Sequence, residues 1–222
     1  MPKQKKLTLK INAQKLALAA RFRCEHQVME QITGLRIEPL EEGGCVIVGL
    51  NGHTMGVVRD QHGHCSEPMT LKVSEELLFV CNRNEQAQNY TVKIIDRRLA
   101  VVCGDTEVFI QAGSPTWTTS PAFPDWRVLI AKVYREKGSE QLSRITLSSG
   151  DFSRMKNIIP GQKGVRLFPT TLEGPLLVTV GGHTDFIGIA MPMKDYGEED
   201  TTAPWVKELI TSKQPENERA TA

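Results

Sequence analysis

Apolar and polar positions alternate along LTLKI (7–11), and strand-like runs follow at GLRIEPL (34–40), GCVIVGLN (44–51) and TMGVVRD (54–60). A two-residue period, or a short apolar run bounded by turn residues, predicts strands. Between the first two lies AQKLALAARF (13–22), in which Leu16, Ala19, Ala20 and Phe22 recur at helical spacing. Asn12 stands just before it and is a favoured N-cap type. The predicted helix turns Lys15, Arg21 and Arg23 toward solvent. EEGG (41–44) and DQHGHCSEP (60–68) have loop composition. The cycle then returns. MTLKV (69–73) reads as a strand, Ser74 as the cap of a short helix EELLFVCN (75–82), and TVKIID, LAVVCG and EVFIQAG as three more strands. A third cycle follows the connector SPAFPDW (120–126). It comprises a strand at RITLSS (144–149), a helix FSRMKNII (152–159) capped by Asp151, and strands at GVRLFP, PLLVTVG and FIGIAMPM.

The chain therefore spells strand–helix–three strands three times, a repeat of architecture rather than of sequence. Each short helix covers one face of a small antiparallel sheet, so the expected class is α+β. The chain's 222 residues, 40% of them hydrophobic and 24% charged, suit a globular protein with a sizeable core. No apolar run is long enough to span a bilayer, and no signal peptide follows the basic N-terminus, so a cytoplasmic protein without membrane partners is expected. The net charge of +1 hides an asymmetry: residues 1–23 carry seven Lys or Arg and no acid, whereas 197–222 carry six acids and three bases. A basic segment on a near-neutral body attracts polyanions, or is a solvated face. The acidic, Thr-rich stretch 197–222 reads as a flexible tail.

Chemistry finds little support. The chain has no GxSxG, no P-loop and no GxGxxG before a helix. The five cysteines lack CxxC spacing and read as small buried hydrophobes. His62, His64 and Cys65 share one loop with no second ligand cluster, which reads as a polar hairpin tip. No enzyme activity, cofactor or metal is expected.

Three segments carry a resemblance: residues 34–58, GLRIEPLEEGGCVIVGLNGHTMGVV; residues 123–129, FPDWRVL; and residues 186–193, FIGIAMPM. In this order and on these elements they resemble the bacterial DNA sliding clamps, the β subunits of replicative DNA polymerase. The matched parts are a strand-and-turn of the middle domain, the linker before the last domain, and the last strand. The resemblance implies a DNA-clamp fold with one full clamp domain plus a half domain. The full domain would occupy residues 1–127 and the half domain, similar to the second half of the family's last one, residues 128–196.

In the family the three segments form a shallow apolar cleft for short peptides of polymerases and other client proteins. Carried over, the resemblance assigns to that cleft Leu50, Gly52, His53, Thr54 and Met55; Pro124, Arg127 and Val128; and Ile189, Ala190, Met191, Pro192 and Met193. Methionine suits the task, because its flexible thioether repacks around varied apolar anchors. The family's arginine after the glycine–histidine pair is Thr54 here, which makes the cleft less basic. The helices of the family face duplex DNA, which places Lys10, Lys15, Arg21, Arg23, Arg154 and Lys156 as phosphate contacts. The loop at 28–31 lacks the family's DNA-touching arginine and tyrosines. Counting repeat units, four chains of three units would close a family-type ring, so a homo-oligomer is expected, with a tetramer from the arithmetic. The function implied is a processivity or docking factor that binds client peptides and encircles duplex DNA. The alternative is a non-encircling adaptor or decoy that keeps only the peptide cleft.

Overall fold

The computed structural model describes residues 7–25, 32–82, 89–95, 98–103, 106–109, 117–118, 123–137, 145–156, 158, 164–171 and 174–193. The basic residues before Leu7, the loop 28–31 and the tail 197–222 lie outside the described residues. The first unit consists of β1 (Leu9–Asn12), α1 (Ala13–Ala20), β2 (Leu35–Pro39), β3 (Cys45–Leu50) and β4 (Thr54–Asp60). After a short β5 (His64–Cys65), the second unit runs β6 (Met69–Leu71), α2 (Glu75–Asn82), β7 (Thr91–Ile95), β8 (Arg98–Cys103) and β9 (Thr106–Phe109). Then come β10 (Trp117–Thr118), α3 (Trp126–Glu136), α4 (Ser149–Arg154), β11 (Arg166–Phe168), β12 (Leu176–Thr179) and β13 (Phe186–Ala190).

Two antiparallel sheets result. One has the order β5-β1-β7-β8-β9, the other β10-β6-β2-β3-β4-β13-β12-β11. Units one and two exchange their first strands: β1 pairs with β7, and β6 pairs with β2. The third unit adds its strands to the same large sheet through β13 and β4, with Ile189 opposite Met55 and Ala190 opposite Thr54.

The strand period decides which core each side chain enters. Cys45 and Ile47 point to the helix side and join the main core with Leu16, Phe22, Leu35 and Phe186. Val46 and Val48 point the other way and join a second core with Met55, Val57, Val133, Leu177 and Ile189. Both faces of β3 are covered, which is why its sequence is a continuous apolar run rather than an alternating one. Helix α1 lies so close to β3 that a Cβ on Gly49 would come 2.2 Å from the Ala19 carbonyl oxygen. The rings of Phe22 and Phe186, with centroids 5.8 Å apart, tie the end of α1 to the third unit.

Three sequence expectations need correction. RITLSS does not enter a sheet: residues 145–148 have no ladder partner among the described residues. The third helix starts earlier than expected, because the Ser148 side chain, not Asp151, accepts from an N-terminal amide, that of Asp151 at 3.0 Å. The supposed connector is partly α3, capped by Asp125, whose side chain accepts from the amides of Arg127 and Val128. The signal was available: Trp126, Ile130 and Val133 stand at i, i+4 and i+7 behind an N-cap aspartate. In addition, His64 and Cys65 form β5 beside β1, so that loop is less of a free tip than its composition implies.

Candidate functional site

The turn between β3 and β4 is built by Asn51 and Gly52. The Asn51 side-chain oxygen accepts from the amides of His53 (2.9 Å) and Thr54 (2.7 Å), and Gly52 sits at φ +92°, where a side chain would be strained. This fixes His53 at the tip and turns Met55 into the second core. Strand β13 runs beside β4, and the contact continues past its end: the Met191 amide donates to the His53 carbonyl at 2.8 Å. Two residues on, the Met193 amide donates to the Thr146 carbonyl at 2.8 Å.

Helix α3 lies over this place. Phe123, Trp126 and Ile130 pack on the second core that holds Met55 and Ile189. The Arg127 guanidinium stands 4.4 Å over the Trp126 ring and is ion-paired with Glu38. Glu38 also accepts from Arg36 at 2.8 Å. Burial alone would raise the Glu38 carboxyl, but the hydrogen bonds and charges of Arg36 and Arg127 together outweigh it and hold the group below the usual carboxylate range.

The three segments assigned to a cleft thus converge, although they are far apart in sequence. They do not all line an open surface. Met55 and Ile189 are buried in the second core under α3, whereas Ala190 and its ladder partner Thr54 are buried on the other face of the sheet, toward the main core. Leu50 and Pro192 are half-buried, whereas Gly52, His53, Pro124 and Arg127 are exposed. The exposed apolar groups are Val128 at 64%, Met193 at 52% and Met191 at 37%. Phe123, Trp126 and Ile130 were missed as part of this place. One buried polar atom here, Trp126 Nε1, has no hydrogen-bond partner among the described residues.

The expected phosphate contacts separate into two groups. Lys10 is on the outer face of β1, since its neighbours Leu9 and Ile11 are the buried ones. It is therefore on the opposite side of the sheet from the helices. The others sit on the helix side, but Lys15 and Arg23 are not simply solvated. Lys15 Nζ donates to the Arg59 carbonyl at 2.7 Å and to Asp185 at 3.1 Å, with Asp60 at 3.9 Å. Arg23 is paired with Glu75 at 2.6 Å. Arg21 donates to the Lys156 carbonyl at 2.7 Å, and Arg154 donates back to the Arg21 carbonyl. These two bonds hold the arginines beside a groove of about 430 Å³ between α1, α2 and α4, and Arg154 also stands 3.9 Å from the Asp151 carboxylate. Burial lowers the Arg21 pKa from its ordinary value.

Among the described residues no three His, Cys, Asp or Glu side chains are placed to hold a metal ion. Cys24, Cys45, Cys65 and Cys81 are buried and none is in a disulfide, and burial pushes the Cys45 and Cys81 thiols up to about 12. No described helix is long and apolar enough to cross a membrane.

No protein-family model matches the chain, and no curated protein matches it in sequence. Solved structures do match in fold. The DNA polymerase III β subunit of Borrelia burgdorferi superposes with a TM-score of 0.60 at 9% identity, over 87% of this chain and 66% of that one. The β subunit of Thermotoga maritima gives 0.57 at 13% identity, over 88% and 67%. The polymerase sliding clamp of Pseudomonas aeruginosa gives 0.52 at 12% identity, over 88% and 69%. The chain has the α+β fold of the DNA sliding clamps, with one domain complete and another partial. It spans about two thirds of the length of these relatives in fold.

Proposed function

We propose that the protein works without chemistry, as a clamp-type docking factor that takes a short apolar segment of a replication or repair protein at the junction of β4, β13 and α3. The division expected from the sequence, a full domain over 1–127 and a half domain over 128–196, goes with this reading, as does a cytoplasmic setting. The observation that carries it is the convergence of residues 50–55, 123–128 and 189–193 at the junction of β4, β13 and α3. Val128, Met191 and Met193 offer flexible apolar contact there. Helix α3 reshapes the site from an open cleft into an apolar rim.

The test is fluorescence anisotropy with a labelled clamp-type peptide. Met193→Glu alters an exposed side chain, so the fold is kept while binding weakens by roughly tenfold, the order of one lost apolar anchor. Equal binding by the variant and the parent protein overturns the assignment.

Between encircling DNA and acting as an adaptor, the ion pairs that occupy Lys15 and Arg23 favour the adaptor. The ring reading is tested through DNA binding. Duplex binding whose affinity falls steeply with salt supports encirclement; salt-insensitive or absent binding supports the adaptor.

A further inference from the structure

The three units can be aligned on their helix caps. In each, the cap side chain accepts from the amide three residues on: Asn12 from Lys15, Ser74 from Leu77, and Ser148 from Asp151. The next position is Leu16, Leu78 or Phe152. Leu16 and Leu78 are in the main core, at 0% and 8% exposure, whereas Phe152 is 59% exposed. The same apolar position is therefore covered twice and left open once.

The strand after the helix repeats in sequence as well. Gly34-Leu35-Arg36-Ile37-Glu38-Pro39 at β2 corresponds to Gly164-Val165-Arg166-Leu167-Phe168-Pro169 at β11. On β2, Leu35, Arg36 and Ile37 pair with Leu71, Thr70 and Met69 of β6, the first strand of the other unit. That strand comes so close that a Cβ on Gly34 would lie 2.6 Å from Thr70 Cγ2. On β11 the corresponding flank is a sheet edge among the described residues, and a Cβ on Gly164 would meet nothing within 4 Å. No described strand occupies the room this glycine leaves.

The segment that would be the first strand of the third unit is present but has no ladder partner among the described residues. Ile145-Thr146-Leu147 echoes Met69-Thr70-Leu71 of β6. It is tethered past the end of β13 by the bond from the Met193 amide to Thr146, much as the Asn12 amide ties the end of β1 to Asp60 at the end of β4. Units one and two solve this problem by exchanging first strands. The third unit has no partner within the described chain.

We infer that the third unit completes a clamp domain against a second copy of this chain, residues 145–148 of each copy adding to the free β11 edge of the other. The contact is isologous, since the same patch meets itself across a two-fold axis, and it repeats between chains the exchange that β1 and β6 make within one. It also brings the two α4 helices together as α1 and α2 are, which covers Phe152. A pair of chains would then hold three complete domains. The inference stands independently of peptide docking.

Sedimentation equilibrium of the full chain tests it, with Gly164→Val as the decisive variant. Within one chain the new side chain has open space, so circular dichroism and melting should be unchanged; in the composite domain it meets the incoming strand. The parent protein should be a dimer, or a tetramer built from dimers, and the variant should have half its mass. If Gly164→Val does not fold, Phe152→Glu, on an exposed side chain, decides by the same halving. A monomeric or odd-numbered parent assembly, or a folded decisive variant of unchanged mass, overturns the inference.

Discussion

Replacing Lys15 by methionine separates a structural role for this cation from a DNA-contacting one. Methionine keeps the apolar stem and removes the ammonium. That ammonium donates to the Arg59 carbonyl at 2.7 Å and to the Asp185 carboxylate at 3.1 Å, and stands 3.9 Å from Asp60. A hydrogen bond to a charged group contributes about 1.5–3 kcal/mol net. Lys15 is 27% exposed and Asp185 is 38% exposed, so solvent screening moves that pair to the low end. Asp60, at 4% side-chain exposure, loses its nearby cation but keeps the amides of Asn12 and His62 as donors. The expected loss is therefore about 2 kcal/mol, read as a lower urea midpoint at unchanged slope. In thermal melts this corresponds to roughly 4–8 °C. If Lys15 were instead a free phosphate contact, stability would move by less than about 0.5 kcal/mol. The slope of log affinity for duplex DNA against log salt would then fall by about 0.9. That pair of results would refute the structural reasoning.

Two further outcomes follow from the packing and from the ion pairs. Gly49→Ala should destabilise the fold by about 3 kcal/mol or more, since the new Cβ meets the Ala19 backbone oxygen and α1 must lift from β3; a melting temperature within a degree of the parent's would contradict the close approach. Glu38→Gln should lower stability by about 1 kcal/mol at pH 7, a modest figure because Arg127 is half exposed. The Glu38 carboxyl is held below its ordinary value, so its contribution is fully present above about pH 4.3 and fades as pH falls through the lower folded value. Denaturation at pH 7 and in acid should therefore show the gap closing, and a gap of equal size at both would deny the charge its part.

Much of this architecture was legible locally. Asn12 and Ser74 cap helices as their residue types predict, and β2, β3, β4, β12 and β13 form where the strand-like runs place them. The segments of the candidate site were recognisable as three short motifs. Their exposure was not: whether Met55 faces a groove or a core depends on α3, a helix whose own period was hidden inside a stretch read as a linker. Lys15 likewise has a helical position that local periodicity fixes and a set of partners, on β4 and on the turn before β13, that it does not.

The amino-acid sequence by itself determined the three-fold succession of strands and helices, because caps, turns and alternation act over a few residues. Tertiary structure alone decided that the first two units exchange strands, that both faces of the large sheet are covered, and that the cations on α1 are tied to carboxylates and carbonyls. It also decided that the Ile145–Ser148 segment and the outer edge of β11 stand without strand-ladder partners among the described residues. A strand's sequence specifies a side chain's face but not the neighbour that receives its backbone hydrogen bonds, and that neighbour is chosen only by what else is folded beside it.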